Sequence, residues 1–157
     1  AAMSVATHDI RAVLIQTETS RLLLPNATIS EVLSYAEPEP VADAPDWLLG
    51  RIRWRGWRLP LLAFAQLTGQ GVEQRGLGSK VVVLKSLGGE ASLPFFALLT
   101  QGFPRLVTVS RDALADAGDA EAEPMQGVRA YVRLNDEIVA IPDIDGIEQA
   151  ILQATAA

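Results

Sequence analysis

Along most of this chain, apolar residues alternate with polar ones or run in short blocks closed by glycine, proline and small polar residues, the signature of strands rather than helices. Residues 11–16 and 21–25 are two such blocks, and the joint between them, Thr17-Glu18-Thr19-Ser20, is turn chemistry, so the pair is predicted as a hairpin. Ile29, Val32 and Leu33 follow as a short strand or a single turn. Glu37-Pro38-Glu39-Pro40, continued by Ala44-Pro45-Asp46, predicts a stiff extended connector without regular structure, because each proline pushes the residue before it out of the helical region. Beyond it, period two puts Arg51, Arg53 and Arg55 on one face of a strand and Gly50, Ile52 and Trp54 on the other. Arg55-Gly56 offers a tight reversal, since glycine accepts the positive φ of a two-residue hairpin loop, and Trp57, Leu59 and Leu61 resume the alternation on a return strand. Pro60 has no amide hydrogen, so that strand is expected at a sheet edge, or to leave its sheet near that point.

The second half repeats the order of the first. After a glycine-rich stretch, 68–79, expected to be a flexible linker, come a strand at 80–85, a turn at 86–90 and a return strand at 93–100. A third strand at 106–110, an acidic loop at 112–124 and a last hairpin, 128–134 with 137–141, complete the repeat. That hairpin begins at Gly127 and ends Ile141-Pro142, as the first begins at Gly50 and ends Leu59-Pro60. The repetition predicts a degenerate duplication of about 70 residues with about five strands per copy, the strand count of a small barrel. The expected fold is therefore mainly β: two five-stranded barrels, roughly 10–67 and 79–143, whose apolar faces pack on each other because neither closes a good core alone. Ile144, Ile147, Ile151 and Leu152 at helical spacing predict a C-terminal helix over 143–154, with Asp143 as its N-cap. Residues 1–9 are expected to be a loose arm.

Composition narrows the chemistry. With 49% hydrophobic and 20% charged residues in 157, the chain has a globular balance, and a formal charge of −6 opposes phosphate binding by the molecule as a whole. Cysteine is absent, which removes disulfides, thiol nucleophiles and thiolate metal sites and fits a cytoplasmic protein. His8, the one histidine, lies in the arm, so no catalytic triad and no enzymatic activity are expected. The acidic residues Asp112, Asp116, Asp119, Glu121 and Glu123 lack the register of a calcium loop and are read as solvated. Gly69, Gly71, Gly76 and Gly78 precede Ser79-Lys80 in the wrong order for a phosphate cradle, and a strand rather than a helix follows. No cofactor or metal is expected. The longest uncharged run, 91–104, is interrupted by prolines and falls short of the roughly 18 to 20 residues that span a bilayer, so no membrane insertion is expected either.

Residues 44–64 hold all 3 tryptophans together with Arg51, Arg53, Arg55 and Arg58. Arginines turned outward for solubility and tryptophans covering the core would explain this plainly. A recognition surface explains it more fully, because Trp and Arg are the types most enriched at the energetic centres of protein interfaces. Its candidate residues are Arg51, Arg53, Trp54, Arg55, Trp57 and Arg58, with Glu31 as a carboxylate able to fix one guanidinium from the edge of the same barrel. An alternative use of the surface is single-stranded nucleic acid, with bases stacked on Trp54 and Trp57 and phosphates on Arg51, Arg53 and Arg58.

The run from Leu49 through Gly50, Arg55-Gly56 and Pro60-Leu61-Leu62 resembles the G-x-x-x-x-R-G-x-x-x-P-φ-φ signature of CheW-like domains, and Pro45-Asp46-Trp47-Leu48-Leu49-Gly50 resembles that family's lead-in. Leu22-Leu23-Leu24-Pro25-Asn26 through Ser30-Glu31-Val32 is similar to the family's second strand and the V-x-E-φ element after it. The similarity runs over 10–153, specific in the first half and vague in the second. In wording it is nearest the ChpC-type adaptors of the chemosensory system that controls type IV pili. The resemblance implies two SH3-like barrels with a shared core, no catalytic residue, and an adaptor linking the cytoplasmic tip of methyl-accepting chemoreceptors to the regulatory domain of a CheA-type histidine kinase. It also implies that Arg55 is the receptor-facing arginine and Glu31 its partner. Three positions depart from the family pattern: Arg53 replaces an asparagine, Ala63 an aspartate, and Thr100-Gln101 an acidic position.

Overall fold

The computed structural model describes residues 9–88, 93–110, 126–134 and 137–155. Its strands are β1 (Asp9–Gln16), β2 (Arg21–Pro25), β3 (Ile29–Ser34), β4 (Leu48–Trp54), β5 (Trp57–Leu62), β6 (Ser79–Lys85), β7 (Phe95–Gln101), β8 (Arg105–Ser110), β9 (Val128–Leu134) and β10 (Glu137–Pro142). A short helix α1 (Phe64–Thr68) follows β5, and α2 (Ile144–Thr155) follows β10. The strands form two five-stranded sheets, ordered β8-β1-β2-β10-β9 and β3-β6-β7-β5-β4.

The predicted repetition is visible in those orders. β1 to β5 and β6 to β10 are equivalent in sequence, and each sheet has one equivalent parallel contact, β10 on β2 and β5 on β7. One expectation is corrected: the stretches 10–67 and 79–143 do not each close their own sheet. The hairpin β1-β2 pairs with β8 and β10, while β6-β7 pairs with β3 and β5, so the two copies exchange their leading hairpins.

This exchange explains the unbroken apolar runs Leu22-Leu23-Leu24 and Val81-Val82-Val83-Leu84, because strands covered on both faces need no polar alternation. Val13, Ile15, Leu22 and Leu24 meet Val82, Leu84, Phe96 and Leu98 in a core shared by the two sheets. The alternate residues fill the barrels: Ala12 and Leu23 join Val109, Val132 and Val139 in one, and Val81, Ala97 and Leu99 join Leu61 in the other.

The helix α2 lays Ile144, Ile147 and Ile151 on the shared core. Asp143 caps it as predicted, its Oδ1 accepting from the Gly146 amide at 3.1 Å. On the same helix the buried Glu148 accepts the amides of Leu87 at 2.6 Å and Gly88 at 2.9 Å, which ties the β6-β7 turn to the helix.

Four further expectations change. Pro60 is not on an edge strand, since β5 lies between β7 and β4. The amide and carbonyl of Arg51, opposite Pro60, both turn outward to Glu39, and the pairing with β7 starts at Leu61, so the missing amide falls between two ladders. Glu39 itself forms a β-bridge with Arg51, so the proline connector contributes a rung to the free edge of β4. Residues 68–79 are not a loose linker, because Glu73 in their middle is only 3% exposed. Its carboxylate accepts the Glu18 amide, the Ala65 amide and the Gln101 side-chain amide, each at 2.9 Å. Asp9, expected in the arm, opens β1. His8 and the acidic loop 112–124 lie outside the described residues.

Candidate functional site: the arginine and tryptophan hairpin

β4 and β5 pair antiparallel, with Trp54 opposite Trp57 and Arg53 opposite Arg58. The turn between them has positive φ at both residues, 49° at Arg55 and 80° at Gly56. Such a turn matches the twist of the strands but suits Asn or Gly at its first position, so a β-carbon there is held against its backbone preference. Arg55 lies at the tip of the hairpin, beside the free edge of β3.

Glu31 on β3 reaches across that edge. Its Oε1 accepts from Trp54 Nε1 at 2.9 Å and from Arg55 Nη2 at 3.1 Å. The Arg55 guanidinium also lies 4.9 Å from the Trp54 ring centroid, within cation–π reach. Trp54 is buried and meets Phe95 edge-on at 4.9 Å, whereas Trp57 is 45% exposed and tilted over the same ring at 6.4 Å. Thus one carboxylate, one buried indole and one exposed guanidinium form a fixed unit, and Trp57 supplies an apolar surface next to it.

The facing arginines form a second unit. Like charges opposite one another destabilise an antiparallel pair. Glu39, held in place by its bridge to Arg51, lies between them: its Oε1 is 3.6 Å from Arg53 Nε, and its Oε2 accepts from Arg58 Nη2. A cleft of about 370 Å³ lined by Arg53, Trp54, Arg55, Gly56, Trp57 and Arg58 opens at the tip. Further along the connector, the Tyr35 hydroxyl donates to Glu37 Oε1 at 2.6 Å, and burial, with the hydrogen bond and charge of Glu37, pushes that phenol above its ordinary 10.0.

Of the residues singled out in the sequence, the structure brings Glu31, Trp54 and Arg55 together, and places Arg53 and Arg58 on Glu39. Trp57 stands exposed beside them. Arg51 lines a groove against α2 together with Arg58, and on its other side a cleft shared with Glu37, Glu39 and Arg53. Sequence reasoning missed Glu39, Glu73 and Glu148 as anchors. A carboxylate flanked by prolines, as Glu39 is, was the available signal for the first; the other two sit in a glycine-rich stretch and a helix that offered none. Among the described residues, no group of three or more His, Cys, Asp or Glu side chains is gathered to hold a metal ion, and no helix is long and apolar enough to cross a membrane.

Residues 11–151 match the CheW-like domain family, nearly the full length of the chain. The chain belongs to the CheW-like domain family. No curated protein matches its sequence. Among solved structures, it is similar to the scaffolding protein TtCheW from Thermoanaerobacter tengcongensis, with a TM-score of 0.71 and 14% identity over 86% of this chain and 84% of that one. The two sheets are thus the two SH3-like barrels of the CheW-like fold. The hairpin carrying Arg55 falls inside the matched stretch, and so does Glu31.

Proposed function

We propose that this CheW-like domain is an adaptor that couples the cytoplasmic tip of a methyl-accepting chemoreceptor to the regulatory domain of a CheA-type histidine kinase. It takes no part in bond making or breaking. Its task is to hold two proteins in register, through apolar burial along the barrels and polar contacts that set orientation. The observation that carries this reading is Arg55. An exposed arginine kept at φ 49° is unfavourable for folding, and such strain persists where a site needs the side chain. Glu31 and the Trp54 ring fix its direction, so the guanidinium is presented to a partner already oriented.

Arg55→Gly is therefore expected to change unfolding free energy by less than about 1 kcal/mol, because relief of backbone strain offsets an exposed ion pair worth about 0 to 1 kcal/mol. The same variant, and Glu31→Ala, should weaken binding of the receptor tip in titration calorimetry. Unchanged affinity in both variants refutes the assignment of this site.

The wording of residues 22–35 and 45–56 supports a place in the chemosensory branch that controls type IV pili, in the cytoplasm. Loss of twitching on deletion of the gene, with swimming intact, is the outcome that reading requires. The nucleic-acid alternative is not favoured, because the chain carries a formal charge of −6 and Arg53, Arg55 and Arg58 each already engage a carboxylate of the chain, which weakens their pull on a phosphate backbone.

A further inference from the structure

We infer that Arg51 reads an acidic side chain on the receptor segment this adaptor holds; the inference rests on the adaptor reading above. Three of the four hairpin arginines have an ion-pair partner within the chain, Arg55 in Glu31, and Arg53 and Arg58 in the single carboxylate of Glu39. Arg51 is different. Its backbone is fixed on both sides, by β5 and by the two hydrogen bonds with Glu39, each 2.8 Å. Its side chain is half-buried and, among the described residues, forms no ion pair: the carboxylates in the cleft beside it are engaged elsewhere, Glu39 by Arg53 and Arg58 and Glu37 by Tyr35 and Arg75.

That side chain lines a groove of about 430 Å³ between the base of the hairpin and the last turns of α2. Arg58 and Pro60 form one wall, and Ile151, Leu152 and Leu93 supply apolar surface. None of the described lining residues is acidic, and the one acid on the buried face of α2, Glu148, is already occupied by the amides of Leu87 and Gly88. A trough with apolar walls and an unneutralised guanidinium at its rim complements an amphipathic helix that sets apolar anchors into the groove and one Asp or Glu against the rim. The planar guanidinium binds a carboxylate through two parallel hydrogen bonds, which fixes rotation of that helix about its axis as well as affinity. Arg51 thus selects which face of the receptor helix is seated, while Arg55 at the far end of the hairpin engages another part of the partner.

The test uses the whole adaptor and, as probe, the soluble cytoplasmic hairpin of a chemoreceptor from the same genome, titrated at low and high salt. Arg51→Glu is expected to weaken binding about tenfold or more and to flatten its salt dependence, with Arg51→Lys intermediate because a lysine lacks the fork. Melting of both variants should match the unsubstituted protein, and an acid-to-lysine change on the receptor hairpin should restore binding to Arg51→Glu. Equal affinity of Arg51→Glu and the unsubstituted adaptor overturns the inference and leaves the adaptor reading standing. Failure of the unsubstituted adaptor to bind any chemoreceptor hairpin overturns both.

Discussion

Glu73→Ala is expected to destabilise the protein by about 2 to 3 kcal/mol, as a lower urea midpoint with an unchanged slope. The carboxylate joins the β1-β2 turn of one barrel to α1 and the end of β7 in the other, through the amides of Glu18 and Ala65 and the side chain of Gln101. Truncation leaves the buried Ala65 amide without an acceptor, at about 1 to 3 kcal/mol, and takes a partner from the part-buried Glu18 amide at a smaller cost, while Gln101 Nε2 keeps the Gln74 carbonyl. The Ala65 amide is an orphan of the first turn of α1, whose N-cap position is Ala63, a residue without a side-chain acceptor. Glu73 does from ten residues downstream what the aspartate of the family pattern would do locally. Ala63→Asp in the Glu73→Ala background is therefore expected to recover part of the loss. An unaltered urea midpoint in Glu73→Ala rules out this role.

Gly50→Ala should be about as damaging, near 3 kcal/mol, for a different reason. Gly50 has φ 147°, a region closed to side chains at a cost of about 1 to 3 kcal/mol. A β-carbon there would run into the Glu39 carbonyl and approach its carbon to 2.9 Å. The connector would have to lift, breaking the bridge to Arg51 and withdrawing Glu39 from Arg53 and Arg58. Hydrogen exchange reads this directly: the amides of Glu39 and Arg51 should lose protection while those of β6 and β7 keep it. Retained protection at both amides would count against the account.

Much of this molecule was legible before its coordinates. The succession of strands along the chain, the Arg55-Gly56 reversal and the Asp143 cap rest on local pattern, whereas the pairing of Glu31 with Arg55, 24 positions apart, was implied by the family resemblance. What the sequence concealed depends on long-range closure. Leu22-Leu23-Leu24 announces a strand buried on both faces, yet nothing in it says whether the second face belongs to its own copy or the other. Glu73, set among glycines, reads as part of a flexible linker because two of the donors to its carboxylate lie 55 and 28 positions away, at Glu18 and Gln101. Pro60 was misplaced since the rule about edges concerns the direction of an amide, which only the register decides.

The exchange of leading hairpins makes the molecule indivisible. A polypeptide ending within 68–79 would carry β1-β2 without the strands they need and β3-β5 without theirs, so it should remain unfolded by circular dichroism, while mixing it with the complementary fragment should reconstitute both barrels together. A load placed on one barrel therefore falls on chain that also builds the other, so the two lobes make one mechanical body rather than two beads on a string.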